Sequence, residues 1–176
     1  QFHRPGMAKV EPPSGFREHD DPAPISVYGR TEAEAERAVL AADPSAVVVR
    51  LPLLTGDSLG RGLGASDSLL AAIARGETPV LFEDEWRTPL DVIDAADALL
   101  ELSGSDLRGL LHVAGPERIS RVDLGLAVLR SRGLSQAEAR AKFRTGCRAD
   151  LGMDRHRPAD VSLDASRARS TLLTTL

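Results

Sequence analysis

Short β-branched or leucine-rich runs alternate in this chain with segments that repeat apolar residues at helical spacing. That alternation constrains the fold more than any other feature. The runs are AVVVRLP (46–52), VLF (80–82) and LLHVAG (110–115). Helical patterns start near Ser26, over 66–75, over 90–102, from Ser120 to about Arg132, briefly from Ser135, and over 164–173 with Asp164 as the expected cap. Asp43-Pro44, Gly76 and Gly133 supply stops. Strands that alternate with helices predict an α/β domain with a parallel sheet. The unbroken VVV run predicts a strand buried on both faces. Residues 1–24 are rich in Pro, Gly and charge and predict an irregular, loosely packed arm, with one domain over 25–176. Residues 56–64 predict a mobile glycine loop, and 144–157 an irregular stretch.

The chain's 176 residues suffice for one domain with a core. Aromatic residues are only 3%, so Leu, Val and Ala must fill that core. Net charge is −4 and the only lysines are Lys9 and Lys142, so no basic stripe suits nucleic acid. The positive charge is nearly all arginine, whose planar fork suits phosphate and carboxylate. No apolar run approaches ~20 residues, so no membrane-spanning helix is expected. The first residues lack the apolar centre of a signal peptide, and a cytoplasmic location is expected. The six residues before Met7 read either as an addition or as the interior of a longer protein.

Several chemistries lack their residues. His3, His19, His112 and His156 are scattered and form no paired ligand motif, so no metal is expected. His112, inside LLHVAG, reads as a satisfied core or sheet-end histidine. Cys147 is the single cysteine, so no internal disulfide is available. Arg144 and Arg148 beside it favour a lowered thiol pKa, yet without a placed histidine it reads as inert. Gly-x-Ser-x-Gly is absent, and Ser103-Gly-Ser105 is a turn. Gly56, Gly60, Gly62 and Gly64 have the wrong spacing for a dinucleotide or phosphate loop.

Five segments, in order over residues 16–175, carry a family likeness. FREHDDPAPISVYGRTEAEAERAVL resembles the segment of extended short-chain dehydrogenase/reductases around the catalytic Tyr-x-x-x-Lys. More narrowly it resembles the dTDP-4-dehydrorhamnose reductase group within the NAD-dependent epimerase family. AVVVRLPLLTG is similar to the next strand, which ends beside the nicotinamide, so the resemblance puts Tyr28, Leu53 and Leu54 on the cofactor. LFEDEWRTPLDVIDAADALLEL and HRPADVSLDASRARSTLL resemble two segments whose arginines reach the substrate diphosphate, here Arg87 and Arg157. GLLHVAGPERISRVDLG resembles a glycine turn followed by a Ser-led helix. The resemblance implies a bacterial, cytoplasmic oxidoreductase with NAD or NADP as cofactor, a nucleotide sugar as substrate, and Tyr28 as the catalytic acid–base.

Three departures bear on activity. The family's lysine holds the nicotinamide ribose and favours the phenolate of the tyrosine, but this chain has Glu32 there. The family's upstream Ser/Thr has only Ser14 as a candidate, and Ser14 is too close to Tyr28. No strand–Gly-x-Gly-x-x-Gly–helix occurs in the sequence. The expected fold is therefore a partial Rossmann-like parallel sheet with flanking helices, without the N-terminal dinucleotide-binding half. Three readings stay open. The first is a truncated or fragmentary NAD(P)-dependent sugar-nucleotide reductase or epimerase, catalytically impaired as given. The second is a non-catalytic ligand-binding or regulatory protein on a degenerate reductase fold. The third is an unrelated α/β domain. A half-sheet with an open edge would invite a partner, either a second copy or the missing half.

Overall fold

The computed structural model describes residues 15–58, 61–155 and 157–176. Ser26 opens the first helix, α1 (Val27–Ala42), by accepting a hydrogen bond from the Gly29 N–H at 3.0 Å. Asp43-Pro44 ends it, because proline cannot continue the ladder. The chain then returns as β1 (Val47–Arg50), which pairs in parallel with β6 (Gly109–His112) in the register Val47↔Gly109 to Arg50↔His112.

The remaining pairs are short. β2 (Leu54–Thr55) lies parallel to β5 (Leu90–Asp91), and β3 (Val80–Phe82) lies parallel to β8 (Arg144–Gly146). β4 (Trp86–Arg87) is antiparallel to β7 (Ile119–Ser120). The expected parallel α/β architecture is present, but the three expected strands are eight, in four two-stranded pairs, among the described residues. The expected irregular stretch 144–157 contains β8 and a 3-10 turn over Ala149–Leu151.

Between these pairs lie α2 (Ala65–Ala74), α3 (Val92–Ser103), α4 (Arg121–Ser131) and α5 (Gln136–Arg140). Local side chains set the starts of α3, α4 and α5. Asp91 accepts from Ile93 N–H, Ser120 accepts from Asp123 N–H, and Ser135 with Glu138 forms a reciprocal capping box. The last helix, α6 (Ser166–Thr171), is shorter than expected. Asp164 is not its cap; its carboxylate accepts from the N–H and hydroxyl of Ser166 in a turn before the helix.

Two apolar clusters fill the interior. One joins β1, β6, α3 and α6 through Leu90, Ala98, Leu102, Leu111 and Ala168. The other joins α2, β3, α4 and α5 through Leu69, Leu81, Leu129 and Phe143. Alanine supplies six of the buried side chains that are no more than 2% exposed (Ala95, Ala98, Ala114, Ala139, Ala165 and Ala168), which lets the elements approach closely in a chain poor in aromatics. Gly115 marks the tightest approach: a Cβ there would lie 1.9 Å from the Pro89 carbonyl oxygen. Part of the expected loose arm is instead pinned. Phe16 is buried, bridges to Leu163, and donates its N–H to the Ser162 carbonyl at 2.7 Å. The sequence pattern had no way to foresee this contact, because its partner lies far along the chain. Residues 1–14, Leu59, Gly60 and His156 lie outside the described residues, including Ser14, His3 and the middle of the glycine loop.

Candidate functional site

The N-terminus of α1 stands near the C-terminal ends of β1 and β6, the side on which open α/β sheets hold ligands. A cleft of about 620 Å³ separates α1 from β1. Tyr28, Glu32 and Val39 line one wall, and Val49, Leu53 and Arg87 line the other. Tyr28 is 63% exposed and is not packed into the core. Glu32 follows it one helical turn later on the same wall. Leu53 faces the cleft, whereas Leu54, its neighbour in sequence, packs against the core. β1 is half-buried over Val47–Val49 rather than buried on both faces, because the cleft runs along it.

Beneath this cleft a polar chain ties α1 to the sheet. Arg50 donates from Nε and Nη2 to the Glu36 carboxylate at 2.7 and 2.6 Å. Its Nη1 lies 3.1 Å from His112 Nε2. Guanidinium can only donate, so Nε2 accepts and the ring proton sits on Nδ1, which donates to the Phe16 carbonyl at 3.0 Å. His112 is fully buried, and burial, with Arg50 adding to it and Glu18 opposing, holds its pKa below the usual histidine value. This is the satisfied histidine that the sequence predicts.

The second constellation centres on Glu85, which is 1% exposed. It precedes β4 by one residue and accepts from Arg87, on that strand, and from Arg157, 72 residues on. Arg87 Nη2 lies 2.8 Å from Glu85 Oε1. Arg157 donates from Nε to Oε2 at 2.6 Å and from Nη2 to Oε1 at 3.0 Å. Arg121, the first residue of α4, brings Nε to 3.9 Å from the same Oε1. Its Nη1 is buried and has no hydrogen-bond partner. Arg87 is further fixed by the Trp86 carbonyl at 2.6 Å and the Ala159 carbonyl at 3.3 Å. Burial pushes its pKa down to about 10 despite Glu85. Burial also lowers that of Arg121, while the hydrogen bonds to Glu85 raise that of Arg157.

Glu85 lies two residues from Arg87, but Arg157 passes over the nearer Asp154 and Asp160 to reach it too. Asp160 pairs with Arg118 at 2.9 Å, and Asp84 with Arg148 at 3.1 Å. Arg118 also stacks over the Trp86 ring, 4.1 Å from its centroid. The sequence alone does not bring Arg121, Glu85 or the Glu36–Arg50–His112 chain to the site. Only a buried-looking arginine at the end of the VVVR run hints at them. Cys147 is exposed, and its thiol is pushed up by partial desolvation and by Asp84, Asp150 and Glu83, because Arg148 turns to Asp84. Among the described residues, no cluster of three or more metal-type ligands occurs and no helix is long and apolar enough to cross a membrane.

The chain is similar to several known proteins along most of its length. A dTDP-4-dehydrorhamnose reductase of Mycobacterium tuberculosis is 35% identical over 129 residues, 73% of this chain and 42% of that protein. Methionine adenosyltransferase 2 subunit beta of Bos taurus is 26% identical over 86% of this chain and 46% of its own length. The crystal structure of the Bacillus anthracis dTDP-4-dehydrorhamnose reductase in complex with NADP shares the fold with a TM-score of 0.79, over 93% of this chain and 56% of that one, at 20% identity. The chain thus spans about half the length of the curated relatives it matches. The family model described as the RmlD substrate binding domain matches residues 9–176, and the chain belongs to that family.

Proposed function

We propose that this chain is the substrate-side part of an NAD(P)-dependent sugar-nucleotide reductase. In this reading Arg87 and Arg157 hold the substrate diphosphate and Tyr28 stands at the reacting carbinol. One observation carries the reading: two guanidiniums 70 positions apart in sequence converge on one carboxylate oxygen. A site that orders two forked donors around one anion suits a diphosphate, whose oxygens match them in the same way. Cleft and cluster are linked, because Arg87 belongs to both.

The described residues do not by themselves fit a dinucleotide. Tyr28 and Leu53 offer a phenol and an apolar wall, but Glu32 sets an anion where the ribose needs a cation. The glycine-rich segment that enters α2 through Gly64 lacks the Gly-x-Gly-x-x-Gly spacing that cradles a pyrophosphate. This chain alone therefore binds NADH weakly, with an affinity poorer than micromolar in calorimetry. A non-catalytic role is the second reading. Glu32 favours it, and so does the similarity to a protein named as a subunit of a larger enzyme.

The test is direct titration with UDP-glucose and with a dTDP-sugar. Wild type binds one or both. Arg87→Ala and Arg157→Ala each weaken binding about tenfold or more, the loss of a charge-assisted pair. Unchanged affinity in both variants removes the diphosphate reading. Binding without turnover, when the rest of a relative's chain is supplied, favours the subunit-like role.

A further inference from the structure

The Glu85 cluster contains more positive charge than its own geometry requires. One buried carboxylate faces three guanidiniums, those of Arg87, Arg121 and Arg157, all against the same oxygen. The adjacent cations do not share in this excess, because Arg118 has Asp160 and Arg148 has Asp84. Among the described residues, the cluster therefore carries two positive charges beyond its one carboxylate.

Arg121 is the least favourable of the three. It occupies the first position of α4, where the positive end of the helix dipole repels a cation. It is largely buried, and one of its nitrogens has no acceptor. Burial lowers its pKa, the sign of a cation held against its preference. Each of these raises the free energy of the ligand-free protein. Buried charge that does not serve stability is more readily explained by a ligand than by packing.

We propose that Arg121 is a third donor of the anion seat and that Glu85 is its internal counter-ion, so that the seat takes one further doubly charged phosphate-class anion. The proposal rests on the diphosphate reading above and adds two residues to it. The charge identifies the ligand class. A diphosphate esterified at both ends carries two negative charges and cancels the excess, whereas a carboxylate would leave one charge over. The planar forks of the three arginines match phosphate oxygens in pairs. Glu85 keeps the guanidiniums together before the ligand arrives. Arg157 is the most exposed of the three, its side chain 44% exposed, while those of Arg87 and Arg121 are 10% and 17% exposed.

The experiment uses the full chain with inorganic pyrophosphate as probe and acetate as control, at constant ionic strength, followed by calorimetry and by the thermal midpoint. Pyrophosphate is expected to bind and to raise the midpoint, and acetate to do neither. Arg121→Gln is expected to leave the ligand-free midpoint unchanged or higher, yet to weaken pyrophosphate at least tenfold. Arg121→Lys, which keeps the charge and loses the fork, is expected to fall between. If Arg157→Gln weakens pyrophosphate and Arg121→Gln does not, the third donor is overturned while the diphosphate reading stands. If pyrophosphate does not bind wild type at all, both fail. Should Arg121→Gln not fold, the arginine side-chain 15N signals of the wild-type protein decide: an Arg121 Nε signal unmoved at saturating pyrophosphate overturns the proposal.

Discussion

At the scale of single residues, two side chains make opposite demands on charge. Tyr28 has an anion, Glu32, one turn away in the same cleft. Glu32→Lys exchanges a repulsive neighbour of the phenolate for an attractive one, worth roughly 0.5 kcal/mol on an exposed helix face. Tyr28 is the only tyrosine in the chain, so ultraviolet titration follows it without overlap. The curve is expected to move to lower pH in the variant; an unmoved curve means that the two side chains do not meet. His112 makes the reverse demand, since its Nε2 must stay unprotonated to accept from Arg50. Its folded pKa lies below the ordinary 6.5. Above pH 6.5 neither state binds the proton and the protein keeps its full stability. As pH falls below that value the unfolded chain takes up a proton that the folded one refuses. Stability is then lost, at up to ~1.4 kcal/mol per pH unit, until the folded pKa is reached. Asp164 and Glu101, both lowered by hydrogen bonds, add their own losses only below their unfolded values of 3.8 and 4.5. Urea unfolding between pH 7.5 and 5 thus isolates the histidine, and His112→Asn should flatten the slope.

At the scale of elements, the turn that follows β6 is the stiffest constraint. Gly115→Ala forces a methyl group into the Pro89 backbone. Backbone cannot swing aside as a side chain can, so a loss of at least ~2 kcal/mol is expected in denaturant unfolding. That glycine was legible in the sequence as a turn, as were the caps at Ser120 and Ser135 and the runs of β1, β3 and β6, because each is written in local chemistry. The two-residue strands β2, β4, β5 and β7, and the strand β8, were not legible. They exist because a distant segment supplies hydrogen bonds, and nothing in TG or LD alone announces that. The site divides the same way. Arg87 and Arg157 stand in motifs, but their shared carboxylate and the third arginine emerge only when segments near 85, 121 and 157 meet.

At the scale of the whole molecule, the main strand pair is open on one side. Ala46 and Arg50 carbonyls accept from the Gly109 and Val113 N–H groups, so by alternation the backbone groups of Val47, Val49 and Leu51 point away from β6. Among the described residues no strand pairs with that edge. The Val47 and Val49 amides are expected to exchange with solvent roughly tenfold or more faster than those of Val48 and Arg50. Equal protection across the four would mean that something covers the edge. The same molecule also contains its own lamp. Trp86 is the only tryptophan, it sits between Glu85 and Arg87, and the Arg118 guanidinium lies over its ring. Its emission should respond to any movement of those arginines, so occupancy of the cluster can be followed by light, without a label and without turnover.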